Sequence, residues 1–205
     1  MPCCASPRID TLLRAFVVWL LFWQCTAGAA EVEIRQPQLS PGEDGYALSA
    51  DFVFDFNPRL EEAVAKGVVL YFVAEFELTR SRWYWFDDKV LRASQVWRLS
   101  YHALTRQYRL STGVLHQNFS SLEDALRVLS RLRNWVVLEK GSDRSPLKPG
   151  ETYQAALRLY LDHAQLPKPF QIAALASKEW NLASDWQRWP HVAPVPPAAA
   201  PAEVK

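Results

Sequence analysis

The stretch Val68–Leu78, "VVLYFVAEFEL", decides the fold class, because an apolar residue occupies every second position along it. The apolar positions are Val68, Leu70, Phe72, Ala74, Phe76 and Leu78. Glu75, Glu77 and Thr79 take the intervening positions at its end. A period of two is typical of a strand with one face on a core and the other in water. The stretch therefore predicts a half-buried antiparallel strand.

Four further segments repeat this alternation. They are residues 46–56, 91–103, 108–114 and 153–161. In the third of them the pattern places Val114 on the core face, together with Tyr108 and Leu110. A short turn over 104–107 separates the second from the third, and the chain returns to strand at Val136–Leu138. These segments predict strands of the same half-buried kind.

Two short helices interrupt the strands. Asn57 followed by Pro58 is typical of a helix start, and Gly67 is typical of its end. Ser120 with Glu123 three residues later predicts a capping box at the start of the second helix. We therefore predict a mainly β protein, an antiparallel β-sandwich of about seven strands, immunoglobulin-like in general architecture, with one or two short helices.

The N-terminus predicts an export signal. Arg8 and Arg14 precede an uncharged apolar run over 15–23, and small residues follow at Ala27–Ala30. This order matches a secretory leader with a cleavage site after Ala29 or one residue later. The run is shorter than the roughly 20 residues that span a bilayer. We expect cleavage, with an uncleaved inner-membrane anchor as the alternative.

The remaining chain divides into one domain and a tail. We predict a signal peptide over 1–30, a single sandwich domain over 31–189, and a disordered tail rich in proline and alanine over 190–205. About 160 residues are enough to bury one hydrophobic core. Such a protein would be periplasmic.

Composition excludes several classes of function. The predicted leader holds all three cysteines, and Met1 is the only methionine. The exported domain therefore has no thiolate or thioether ligand for a soft metal, and no cysteine nucleophile. Its basic and acidic residues are equal in number once the leader is removed, whereas nucleic-acid binders are normally basic. We expect no metal, no cofactor and no nucleic acid.

The segment Arg82–Lys89, "RWYWFDDK", follows the first strand directly and poses the main functional question. The alternation loses its sense there, so the strand leaves the sheet or bends at a bulge. Asp87–Lys89 predicts a turn into the next strand. Trp83 and Trp85 then either cover the outer sheet face or form an aromatic shelf for a ligand.

The candidate binding residues are Arg82, Trp83, Trp85, Trp97 and Arg98. Trp180, Trp186 and Trp189 form a second aromatic group. The interpretation we favour for this group is that it holds the last segment on the sandwich, rather than docking a partner.

Four segments of the chain resemble the DUF4390 family in order. They are Leu78–Trp85, Tyr101–Arg109, Leu161–Phe170 and Trp180–Trp186. The resemblance extends from about Glu31 to Trp189. It implies an exported single-domain protein of betaproteobacteria and their relatives, with a link to envelope sensing, and it supplies no catalytic residues.

Enzyme motifs are sparse. The four histidines are far apart in sequence, and no glycine-rich phosphate loop or nucleophile elbow is present. Asp87, Asp88, Asp162 and His163 are the candidates for a hydrolase acting on a cell-envelope polymer, and they would have to converge in one pocket. We expect instead a non-catalytic binding module whose partner is an envelope protein or a glycan. Contact with the membrane is expected only if the leader stays attached.

Overall fold

The computed structural model describes residues 32–80, 88–140 and 147–194. These residues form nine strands, three α-helices and two short 3-10 turns. The strands are β1 Glu33–Pro41, β2 Gly45–Val53, β3 Leu70–Arg80, β4 Asp88–His102, β5 Gln107–Thr112, β6 Leu115–Phe119, β7 Arg131–Glu139, β8 Thr152–Leu161 and β9 Gln187–Val192. The helices are α1 Pro58–Ala65, α2 Leu122–Leu129 and α3 Lys168–Ala176.

The strands form two antiparallel sheets, which confirms the mainly β, sandwich-like fold. The smaller sheet has the order β1-β2-β7, and the larger has the order β6-β5-β4-β3-β8-β9. Every strand pair is antiparallel. The core lies between the sheets, where Leu48 and Phe52 of β2 join Phe72 and Phe76 of β3 in one buried cluster.

The alternation in β3 is confirmed on its core face, although Val73 on the other face is also buried. Leu70, Phe72, Ala74, Phe76 and Leu78 are fully buried. Glu75 and Glu77 lie on the opposite face, which is the outer face of the larger sheet. A register shift lies between Leu78 and Thr79, which pair with Leu91 and Lys89, so Val90 of β4 is the extra residue of a bulge. The exit or bend predicted for the segment that begins at Arg82 falls on residues 82–87, which lie outside the described residues.

Both predicted helices form. Asn57 caps α1 by accepting a hydrogen bond from the Arg59 amide at 2.8 Å, and Gly67 after its end has a φ of +87°. A φ in this range favours glycine, which has no Cβ to clash with the backbone. The predicted start of α2 is one residue early, because Ser121 rather than Ser120 accepts from the Asp124 amide.

Other predictions near the hairpins and the C-terminus are wrong. Asp88 and Lys89 are the first residues of β4 and not a turn, since Asp88 pairs with Arg80 of β3. Val114 lies in the β5–β6 turn and is 95% exposed. The tail does not begin at Pro190, because β9 continues to Val192. Pro190 is compatible with β9 because β9 is an edge strand, in which alternate amides face away from the sheet.

Candidate functional site

The predicted aromatic shelf is only partly within the described residues. Arg82, Trp83 and Trp85 lie outside them. Trp97 is in the core, with 6% of its surface exposed, so the structure contradicts its assignment to a binding surface. Arg98 follows it on the strand and therefore points the other way, where it is exposed on the outer face of the larger sheet.

The C-terminal tryptophans pack on the body of the protein. Trp180 is 7% exposed, and its ring centroid lies 5.6 Å from that of Phe170. Trp189 packs against Phe76 with ring centroids 6.3 Å apart. These contacts favour the interpretation that this group holds the last segment on the sandwich.

The hydrolase candidates within the described residues do not converge. Asp88 pairs with Arg80 at one end of β3, whereas the Asp162 amide donates to the Tyr71 carbonyl at the other end. Nine residues of strand place these ends about 30 Å apart. Asp87 lies outside the described residues. The hydrolase alternative therefore loses the support that a common pocket would have supplied.

Asp162 and His163 are engaged in local structure. The Asp162 carboxylate accepts a hydrogen bond from the Ala164 amide at 3.0 Å, and so caps a 3-10 turn. The His163 Nε2 atom lies 2.7 Å from the Trp180 carbonyl oxygen. Among the described residues, no three side chains of histidine, cysteine, aspartate or glutamate cluster as metal ligands would.

A charge network covers the centre of the outer face of the larger sheet. Arg158 donates from both Nε and Nη2 to the Glu75 carboxylate, at 2.9 and 2.6 Å, and the Tyr160 hydroxyl donates to it at 3.0 Å. The Arg158 guanidinium also lies over the Trp186 ring, 4.6 Å from its centroid. Burial by itself would raise the pKa of the Glu75 carboxyl. The hydrogen bonds from Arg158 and Tyr160 and the nearby positive charges outweigh burial and hold this pKa below its ordinary value.

A second network of polar contacts lies where β3 ends and β4 begins, on either side of the segment that carries the predicted shelf. Arg80 at the end of β3 contacts Asp88 at 3.0 Å and Glu151 at 3.5 Å. The Tyr153 hydroxyl donates to Glu151 at 3.0 Å and accepts from the Lys148 amide at 2.9 Å. These contacts tie the ends of β3 and β4 to the start of β8, which is a structural role.

A groove between α1 and α3 combines an apolar floor with charged groups around it. Its volume is about 580 Å³. The residues that line it are Arg59, Glu62, Ala63, Lys66, Pro169, Phe170, Ala173, Ser177, Glu179 and Trp180. Ala63 and Trp180, both nearly buried, form its floor with Phe170.

The groove has a mixed-charge rim. Arg59 forms an ion pair with Glu179 at 3.3 Å, which links α1 to the segment after α3. Lys66 pairs with Glu62 at 2.6 Å along α1. Gln171 donates from Nε2 to the carbonyls of Ala164 and Leu166, so the start of α3 is fixed to the preceding turn. Both walls of the groove are thus held in place by polar contacts.

Sequence reasoning missed this groove. Its two halves come from residues 59–66 and 169–180, which are about a hundred positions apart and share no motif. The only local pattern that indicated part of it was the run Leu166–Phe170, "LPKPF". Its two prolines precede an aromatic residue and are typical of a helix start.

No helix in the described ranges is long and apolar enough to cross a membrane. Comparisons with curated proteins and with solved structures found no match. A family model described as a domain of unknown function, DUF4390, matches residues 29–190. This match covers most of the chain and agrees with the resemblance carried by the four sequence segments. The chain belongs to the DUF4390 family.

Proposed function

We propose that this protein is an exported, non-catalytic binding module of the cell envelope, and that the groove between α1 and α3 receives its partner. The observation that carries the proposal is the groove itself. Its volume lies in the range of pockets that bury small ligands, and its floor is apolar.

The partner we propose is an extended segment of an envelope protein that places one large apolar side chain in the groove. The floor of Ala63, Phe170 and Trp180 suits an apolar group. Charges of both signs at the rim, from Arg59 with Glu179 and from Lys66 with Glu62, suit the polar backbone on either side of it. A glycan would need a denser set of hydrogen-bonding groups on the floor.

Export and the periplasmic location rest on the N-terminal sequence. The basic residues, apolar run and small residues over 8–30 support it. The absence of cysteine from the exported part means that no disulfide stabilises the domain, and the buried cluster between the sheets supplies a hydrophobic core.

The experiment is site-specific photo-crosslinking in living cells. A photoreactive phenylalanine analogue is placed at Lys66, which lines the groove, or at Ile172, which is 70% exposed on α3 and does not line it. We expect a discrete protein adduct in the envelope fraction from position 66 and none from position 172.

The matched test blocks the groove with an added aromatic side chain. Ala173→Phe adds a ring inside the groove and should abolish the adduct, while Ile172→Phe adds the same ring one residue away and should leave it. Thermal unfolding checks that both variants fold. Equal adducts from both positions, or an adduct that survives Ala173→Phe, would contradict the proposal.

A further inference from the structure

A second surface, separate from the α1–α3 groove, lies at the β5–β6 turn on the outer face of the larger sheet. It is a groove of about 390 Å³. We call it the hairpin patch and define it by six of the residues that line it: Val96, Arg98, Arg109, Val114, Leu115 and His116. Val96, Val114 and Leu115 are its apolar half, and Arg98, Arg109 and His116 are its basic half.

The apolar half of the hairpin patch is exposed. Val114 is 95% exposed, Leu115 is 73% exposed and Val96 is 40% exposed. Gly113, with a φ of +57°, makes the tight turn that presents Val114 at its tip. Single exposed apolar residues are common, but adjoining ones that line one groove mark an interaction surface.

The basic half lies on the same face by strand register. Arg98 of β4 pairs with Ser111 of β5, which pairs with His116 of β6. Paired residues share a face, and Arg109 shares it with Ser111 two residues away. The three side chains therefore stand beside one another, next to Val114 in the turn. Leu115 pairs with Thr112, which pairs with the core residue Trp97, so Leu115 lies on the other side of the hairpin tip.

The arginines of the hairpin patch have no carboxylate partner among the described residues. Arg109 donates to the Asn118 side-chain oxygen at 3.0 Å, and Arg98 makes no side-chain hydrogen bond or ion pair in the described ranges. Elsewhere on the same face, Arg158 and Arg92 pair with Glu75 and Glu77. The positive charge of the patch is thus available to an anionic group.

We propose that the hairpin patch docks on a membrane surface that contains anionic lipids. Val114 and Leu115 would enter the boundary between headgroups and acyl chains, while Arg98 and Arg109 lie at the depth of the lipid phosphates. An exposed apolar tip with basic groups directly behind it is complementary to this layered surface. A soluble polyanion would match the charges and leave the apolar tip in water.

This inference does not depend on the α1–α3 groove, and it places contact with the membrane on the folded domain. It holds whether the N-terminal segment is cleaved or retained.

The test is co-sedimentation of the protein, as purified from cells, with vesicles. One set contains phosphatidylglycerol and phosphatidylcholine, and the other contains phosphatidylcholine alone. We expect binding to the anionic vesicles that weakens as salt is added. Arg98→Gln and Arg109→Gln should each lower the affinity about five-fold. Val114→Ser and Leu115→Ser should each lower it roughly ten-fold.

Matched controls lie in the β4–β5 turn, at the other end of β5. Leu104 in the β4–β5 turn is 92% exposed, and Arg106 is close to it. Leu104→Ser and Arg106→Gln should leave vesicle binding unchanged. Hydrogen exchange adds a local measurement, in which anionic vesicles should slow exchange over residues 113–116 and leave residues 104–106 as they were.

Three outcomes would overturn the inference. The first is equal binding to both sets of vesicles, and the second is an equal loss in the control variants. The third is a protein that binds soluble polyphosphate through Arg98 and Arg109 while Val114→Ser and Leu115→Ser have no effect, since an acidic polymer would then be the partner.

Discussion

Glu75 shows how a carboxylate on a sheet face can be both screened from water and charged. Its side chain is 13% exposed, yet two hydrogen bonds from Arg158 and one from Tyr160 hold it as an anion. Its pKa in the folded protein is therefore below the ordinary value of 4.5. A carboxyl of this kind adds stability that is fully present above the pKa of the unfolded chain.

We predict that Glu75→Gln lowers the free energy of unfolding by about 1–3 kcal/mol at neutral pH, because it removes charged hydrogen bonds from Arg158. Acid protonates Glu75 in the unfolded wild-type chain first, so the wild type loses its advantage as the pH falls from about 4.5 through the lower folded pKa. Urea unfolding of both proteins over a pH series measures this.

Glu77→Gln is the matched control. Glu77 lies two residues along the same face and contacts Arg92 and Lys89, whose side chains are mostly exposed. The Glu77 side chain is 16% exposed, but its cationic partners are held loosely in solvent and such pairs contribute little, so we expect a loss of under about 1 kcal/mol. An equal effect of the two substitutions, or an effect of Glu75→Gln that is constant with pH, would show that the network adds nothing specific.

At the scale of the element, α2 shows how narrowly a helix start is defined. Ser121 accepts a hydrogen bond from the Asp124 amide at 3.1 Å and donates one to the Asp124 carboxylate at 2.7 Å. Ser120 is exposed and makes no side-chain hydrogen bond in the described part of the chain. Glu123, the predicted partner of Ser120, pairs instead with Arg127.

We predict that Ser121→Ala lowers the free energy of unfolding by about 1 kcal/mol, because it leaves a helix amide without its cap. Ser120→Ala should change the free energy of unfolding by only a few tenths of a kcal/mol. Chemical denaturation of the two variants measures both values. A larger effect at Ser120 would place the helix start where the sequence pattern had placed it.

The strands that sequence could predict are those with one face on the core. β3 and β8 alternate because Phe72, Phe76, Leu157 and Leu159 meet the opposite sheet. β6 was missed, since nearly all of its residues are exposed and no alternation results. β1 and β9, which the alternation did not predict either, are edge strands like β6. Helix α3 was missed because its composition is almost uniformly apolar, with little difference between its faces.

The candidate surfaces were less predictable than the fold. Arg98 was expected to bind, and it does lie on an exposed surface, but its neighbours there are Arg109 and His116 rather than Trp97. Alternation along one strand predicts which face a residue takes. The partners across the sheet depend on register and strand order, which the pattern of a single strand does not contain.

At the scale of the whole molecule, β9 completes the larger sheet. Ala193, just after it, is 1% exposed. The Ala193 amide donates to the Glu151 carbonyl at 3.1 Å, and its carbonyl accepts from the Gly150 amide at 2.9 Å. His191 and Val192 pair with Tyr153 and Thr152 of β8. The end of the strand thus closes one end of the sandwich.

We predict that a chain ending after Trp189 loses roughly 2–4 kcal/mol of unfolding free energy, from the lost ladder bonds and the exposed core. A chain ending after Pro194 keeps every one of these contacts and should match the wild type. Thermal unfolding of the two truncated proteins measures the difference. If both match the wild type, β9 beyond Trp189 contributes nothing to stability.

The order in which strands appear along the chain has a consequence for synthesis. Asp51 of β2 meets Arg133 of β7 across 82 residues, and Glu75 of β3 meets Arg158 of β8 across 83. Neither sheet can close until a strand made much later arrives. Five of the seven strand pairs join consecutive strands, but β2–β7 and β3–β8 are distant pairings, which form slowly because a long loop must close first. Until β8 is in place, the chain carries Leu48, Phe52 and Phe72 without their full cover, and exposed apolar surface of this kind favours aggregation.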